Sequence, residues 1–156
     1  MSNSSPQDVK DETPSRGRSI LYGVAGLFCL LGLADATYLT VLALTGETAA
    51  CGGQAGCSEV LGSAYSRMAG IPVAAFGIAG YFTGFSCAIF AAFDYARAPK
   101  FFALAVGLLF AATLWLLYVQ AFVLHAFCRY CLFSAAITFL LMGLVVATPL
   151  RRPSSN

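Results

Sequence analysis

Apolar residues fall into four long blocks along this chain, 20–44, 72–93, 101–124 and 131–150, divided by short polar connections. Each block has about the 20 residues that a helix needs to cross a hydrocarbon layer of roughly 30 Å. The pattern predicts an all-α membrane protein, a bundle of four transmembrane helices. The first block is too long for the apolar core of a signal peptide and is followed by no small-x-small cleavage site, so it too is a span. Residues 1–19 are polar, rich in Ser and Pro with alternating charge, and are expected to form a disordered cytoplasmic tail. Residues 20–150 then make one transmembrane domain, and 151–156 a second short cytoplasmic tail.

Composition agrees with that division: 59% of the 156 residues are hydrophobic and only 10% are charged, against about 25% charged in a soluble domain. The net charge of +2 matters less than where the cations lie. Lys10, Arg16 and Arg18 precede the first span, Arg97 and Lys100 separate the second from the third, and Arg151 and Arg152 follow the fourth. Only Arg67 and Arg129 fall in the other two connections. The positive-inside rule therefore predicts both termini in the cytoplasm, with the connections between spans one and two and between spans three and four on the outer face. Cys51, Cys57, Cys128 and Cys131 all belong to that outer face, where disulfides persist.

Several polar residues interrupt the apolar blocks. Asp35 lies ~14 Å inside the outer end of span one, counted at 1.5 Å per residue. An ionisable group at that depth faces the bundle interior or a cavity, either satisfied by neighbouring hydroxyls or serving a ligand as proton donor or hydrogen-bond partner. Tyr38 follows it by one turn. In the first outer connection Cys51-Gly52-Gly53-Gln54-Ala55-Gly56-Cys57 is glycine-rich and pliable, so its two cysteines can pair with each other or reach elsewhere. Residues 58–69 then place Val60, Leu61, Ala64, Tyr65 and Met68 on one helical face, which predicts a short amphipathic helix in the membrane interface. Gly77, Gly80 and Gly84 make a small-residue stripe for close helix packing, with Cys87 continuing it and Cys29 mid-span in helix one, both read as packing residues. Trp115 and Tyr118 in span three are core, lipid-facing surface or an aromatic ligand wall. His125, three residues before Cys128, is an interface bystander or an acid–base group.

The stretch Cys128-Arg129-Tyr130-Cys131 opens span four. Cysteines three apart on a helix stand one above the other, within disulfide reach after modest adjustment. The helix N-terminus and the Arg129 guanidinium should both favour thiolate there. Four outer cysteines admit three uses. Structural staples would gain little from so short a loop as 128–131. A four-thiolate metal site is at odds with an oxidising compartment. A redox relay needs one mobile couple and one fixed couple beside a membrane acceptor, and the pliable 51–57 loop and the 128–131 helix start supply both. The relay is favoured, with a non-enzymatic tetraspan scaffold held by permanent disulfides as the alternative.

Cys51 and Cys57-Ser58-Glu59-Val60-Leu61-Gly62-Ser63-Ala64-Tyr65, then Gly70-Ile71-Pro72, Gly77 and Cys128-x-x-Cys131, together resemble the vitamin K epoxide reductase family in its bacterial branch. Ala34-Asp35-Ala36-Thr37-Tyr38-Leu39-Thr40 adds to the likeness, which runs from about residue 20 to 150. The resemblance implies a bundle around a quinone, ubiquinone or menaquinone, in the bacterial cytoplasmic membrane. It also implies roles. Cys51 would take electrons from a reduced periplasmic thioredoxin-like protein, Cys57 would resolve that mixed disulfide or bridge to Cys128, and Cys131 would face the quinone. Ser63 would support the active cysteines, and Asp35 matches an acid frequent in bacterial members. The Asn and Tyr that hold vitamin K oxygens in the mammalian enzymes correspond to Val73 and Ala135, which points away from epoxide reduction. Some members carry a fused thioredoxin-like domain; with none in this sequence, the partner is expected to be a separate protein.

Overall fold

The computed structural model describes residues 13–45 and 55–148. Their elements are α1 (Thr13–Thr45), α2 (Ala55–Gly62), a 3-10 turn (Ala64–Ser66), a ribbon of β1 (Arg67–Met68) and β2 (Ile71–Pro72), α3 (Val73–Ala92), α4 (Ala98–Tyr118) with a π-helical extension (Val119–Leu124), and α5 (Arg129–Ala147). Four helices are long and apolar enough to cross a membrane: α1 over Gly17–Thr45, α3, α4 with its extension, and α5. The four-span expectation holds.

Helix α1 begins at Thr13, so residues 13–19 are helical where a disordered tail was expected. Hydropathy marks where the membrane starts, not where the helix starts. Once the apolar part is helical, each added polar residue costs little, and Pro14 is tolerated in the first turn. The remainder of that tail lies outside the described residues, as do Cys51 and the 151–156 tail.

Helix α1 packs on α3 and α5, and α4 packs on the same two, so the four spans close a ring. Glycines set the closeness. A methyl group on Gly84 would stand 3.2 Å from the Cys29 sulfur, and one on Gly77 3.4 Å from the Ala36 Cβ, so this side of α3 lies tight on α1. Gly80 instead faces α4, where a Cβ would fall 2.6 Å from Leu109. The small-residue stripe thus serves two neighbours rather than one. Gly32 on α1 leaves room for the Tyr81 ring, which a Cβ there would overlap.

Two cores result. The larger runs along the bundle through Tyr22, Cys29, Ala88, Phe102, Val106 and Leu141, with Cys87 packed against it. The smaller joins Leu39, Leu42, Val60, Ala126 and Cys128 where α2 meets the ends of α1 and α5. At the opposite end of α1, Arg18 pairs with Asp94 in the turn between α3 and α4.

The amphipathic helix expected over 58–69 is shorter. It stops at Gly62, because the Ser63 N–H and hydroxyl both turn back onto the Val60 carbonyl, at 3.3 and 2.8 Å. The Ser66 hydroxyl likewise bonds the Leu61 and Ser63 carbonyls, at 2.6 and 2.8 Å. These local bonds replace the next helical turn. The chain then reverses through Ala69 (φ 52°) and Gly70 (φ 83°), a left-handed pair that closes a two-residue hairpin with Arg67 opposite Pro72. Arg67 donates to the Ala43 carbonyl at 2.9 Å, tying the hairpin to the last turn of α1.

Candidate active site at the start of helix α5

The site is built by the way α4 ends. Its last six residues widen into a π-helical turn, a feature often found at functional positions. There Gln120, 2% exposed, faces inward. Its backbone carbonyl accepts from the Ala126 N–H at 3.2 Å, after His125 takes a left-handed conformation (φ 50°) that turns the chain. Its side-chain Oε1 accepts the Cys128 N–H at 3.1 Å. One buried glutamine therefore folds the 125–128 segment back across the bundle and fixes where α5 starts. Its signal in the sequence was a lone amide inside an apolar span, which rarely occurs without a task.

Cys128 is the N-cap of α5 in extended backbone, and Cys131 is the third helical residue, so the expected helix-start placement is found. The two thiols share a hydrogen bond, and this is the largest cause lowering the Cys128 thiol from 9.0 to about 6. Burial works against it. The N–H groups of Cys131 and Tyr130 add to the lowering, although the sulfur closes no full capping bond. The expected contribution of Arg129 is absent. Its guanidinium lies over the Tyr130 ring, 5.1 Å from the centroid, and reaches the Tyr130 hydroxyl at 3.4 Å. Tyr130 in turn meets the Tyr38 ring at 5.1 Å, so Tyr38 turns toward the surface while Asp35, on the same helix, turns inward.

Cys131 borders a cavity of about 510 Å³ lined by residues of α1, α2, α3, α4 and α5. That is within the range of small-molecule sites, roughly 300–1,000 Å³. Apolar side chains such as Leu39, Leu61, Leu109 and Leu116 form most of the wall. Its polar residues are fewer: Cys131, Ser134, Gln120, Ser63, Ser66, Thr83, Thr113 and the tyrosines Tyr65 and Tyr81. Val73 and Ala135 both line it, so the two positions compared with the mammalian Asn and Tyr do face the same space. A hydrophobic ring with one or two hydrogen-bonding oxygens fits these residues.

Trp115 and Tyr118 are not part of this wall. They are 60% and 53% exposed, their rings are 6.2 Å apart on the outside of α4, and Tyr118 continues to Phe122 at 5.1 Å. The cavity side of α4 is Leu109, Ala112, Thr113 and Leu116, a helical period that leaves 115 and 118 facing lipid. An outward aromatic row of this kind suits a membrane boundary. Ser63 borders the cavity, but its hydroxyl is engaged by the Val60 carbonyl at the end of α2.

Asp35 is buried and is joined by Ser134, one turn after Cys131. The Ser134 Oγ lies 2.9 Å from the Tyr81 hydroxyl, which lies 2.8 Å from the Thr138 Oγ1. Tyr81, Ser134 and Thr138 escaped the sequence reading because a hydroxyl in a transmembrane helix usually bonds its own backbone, as Thr37, Thr83 and Ser86 do here.

The second couple is represented by its neighbour. Cys57 lies in α2, and the residue before it, Gly56, packs on the residue before Cys128. A Cβ on Gly56 would fall 2.8 Å from the Phe127 carbonyl oxygen. The backbones that carry Cys57 and Cys128 therefore touch, and only glycine permits that approach. A sulfur pair at a helix start, an apolar cavity beside one sulfur and a second cysteine-bearing helix against the other make an oxidoreductase of the membrane the coherent chemistry. Residues 24–146 match the family model described as the Vitamin K epoxide reductase family, and with most of its length covered the chain belongs to that family.

Proposed function

We propose that this protein is a quinone-dependent thiol oxidase of the bacterial cytoplasmic membrane. It takes two electrons from a reduced periplasmic thioredoxin-like protein and passes them to ubiquinone or menaquinone, which supports disulfide formation outside the cytoplasm. Both termini lie in the cytoplasm in this reading, and the active cysteines on the periplasmic side.

One observation carries it: Cys131 borders the apolar cavity while Cys128, its partner, adjoins the segment on which Gly56 and hence Cys57 is seated. Cys51 receives electrons by a mixed disulfide with the partner, and Cys57 resolves it. Exchange between Cys57 and Cys128 moves the electron pair inward, helped by a Cys128 sulfur lowered to about 6 and so largely thiolate at neutral pH. Formation of the Cys128–Cys131 disulfide then delivers the electron pair to the quinone. Quinone, when bound, supplies the two-electron acceptor; the protein's residues hold it dry and beside Cys131.

Purified protein with dithiothreitol as donor should reduce ubiquinone-1 or menadione, read by quinone absorbance. Gel-shift alkylation should show the states of Cys51, Cys57, Cys128 and Cys131 changing when quinone is added. Bonds that stay fixed under both donor and quinone would instead indicate a scaffold with permanent staples.

A further inference from the structure

Asp35 has no task in the relay, yet it is 8% exposed and its Oδ2 finds no hydrogen-bond partner among the described residues. A lone carboxylate oxygen in such a place has nothing to offset its desolvation unless it carries or shares a proton. The carboxyl is joined by the Ser134 hydroxyl and lies within electrostatic reach of both Cys128 and Cys131. Ser134 is three residues after Cys131, so both stand on one face of α5, and both border the cavity. Around it the hydroxyls are set in order. Thr138 donates to the Ser134 carbonyl at 2.9 Å, and the Tyr81 hydroxyl is held between Thr138 and Ser134. Ser134 thus has its hydroxyl held by Tyr81 while the residue borders the cavity.

We infer that Asp35 and Ser134 form a proton shuttle between the Cys128–Cys131 dithiol and the quinone oxygen nearest Cys131. The inference rests on the cavity being the quinone site. The Cys131 S–H bond breaks, the Cys128 thiolate closes the S–S bond, and two electrons pass to the quinone together with the Cys131 proton and the proton that Asp35 carries, so the quinone leaves as the dihydroxy form. No outside reductant is required, and Asp35 regains its proton from solvent once the quinone has left. Having given its own proton forward through Ser134, Asp35 takes the proton of Cys131 as that sulfur becomes reactive, which also removes a negative charge that would oppose a thiolate beside it. The Ser134 hydroxyl passes a proton forward and is reloaded from Asp35. Ser134 is the group that touches substrate; Asp35 is a positioning and proton-holding residue behind it.

Single-turnover oxidation of the prereduced full-length protein by ubiquinone-1 tests this. Ser134→Ala and Asp35→Asn should each slow the step about a hundredfold, the usual scale of a lost acid–base group. The apparent affinity for quinone should be little changed, and the double variant should be no slower than the slower single one. Ser134→Thr keeps the hydroxyl and should recover most of the rate. Thermal melting of each variant separates lost chemistry from lost fold. A wild-type rate in Ser134→Ala or Asp35→Asn, or a Ser134→Thr protein as slow as Ser134→Ala, overturns the shuttle alone. Wild-type protein that reduces neither ubiquinone-1 nor menadione overturns the quinone reading and the shuttle with it.

Discussion

Among the described residues the bundle holds two pairs of neighbouring cysteines, Cys29 with Cys87 and Cys128 with Cys131, and their surroundings could hardly differ more. Cys29 is fully buried against Gly84, with Cys87 close by, in a core of Tyr22, Phe102, Val106 and Leu141. Neither sulfur there sits at a helix start: both cysteines lie within helices, away from the first turn. Cys128 is equally buried, but it caps a helix, faces the orphan N–H groups of the first turn and shares a hydrogen bond with Cys131. A polar set of Gln120, Asp35, Ser134 and Tyr81 surrounds that pair, and a cavity opens beside it. Burial alone makes a cysteine inert. Burial at a helix start makes it a candidate nucleophile, because the backbone supplies the positive end that a dry core lacks.

The sharpest break of that contrast is Cys131→Ser. It should lower quinone reduction on the order of a thousandfold or more, as loss of a nucleophile does, while leaving the thermal transition close to wild type. Retained turnover would remove Cys131 as the terminal donor. Next is the ionisation of Cys128. Thiolate absorbance near 240 nm, compared between wild type and Cys128→Ser, should titrate near pH 6 rather than 9. Since the lowered value means thiolate persists down to that pH, exchange with Cys57 should be flat above it and slow as pH falls through it. A midpoint near 9 would mean the helix start does nothing for sulfur.

Gly32→Ala probes the support rather than the chemistry. Its new methyl would strike the Tyr81 ring, which is anchored on Ser134 and Thr138. Overpacking of this kind costs about 1–3 kcal/mol, read as a lower thermal transition, with turnover falling in step as Ser134 loses its place. The smallest effect belongs to the other pair. Cys29→Ala and Cys87→Ala should leave turnover within about twofold of wild type, as substitutions far from the reacting groups do. Slower electron transfer in either would erase the distinction between the two pairs.

Much of this was legible in the order of residues. Four apolar blocks gave four spans, since a membrane leaves a chain of that length and composition no other way to satisfy its backbone. The Cys128-x-x-Cys131 spacing gave a paired helix start, and Gly77, Gly80 and Gly84 gave close contacts. Where periodicity was asked to do more, it failed for local reasons. Ser63 and Ser66 ended the 58–69 helix early by bonding back to carbonyls, and Arg129 found an aromatic face instead of a sulfur.

The sequence by itself determined the element lengths and the cysteine spacing, because hydropathy and helical repeat are properties of neighbours along the chain. Only the tertiary structure decided which side of α4 meets the cavity, that Gln120 holds Cys128, that Gly56 lies on Phe127, and that Asp35, Ser134, Tyr81 and Thr138 share one buried cluster. Those facts depend on how far each helix is rotated about its axis. Rotation is set by packing against other helices, and no stretch of sequence contains both partners.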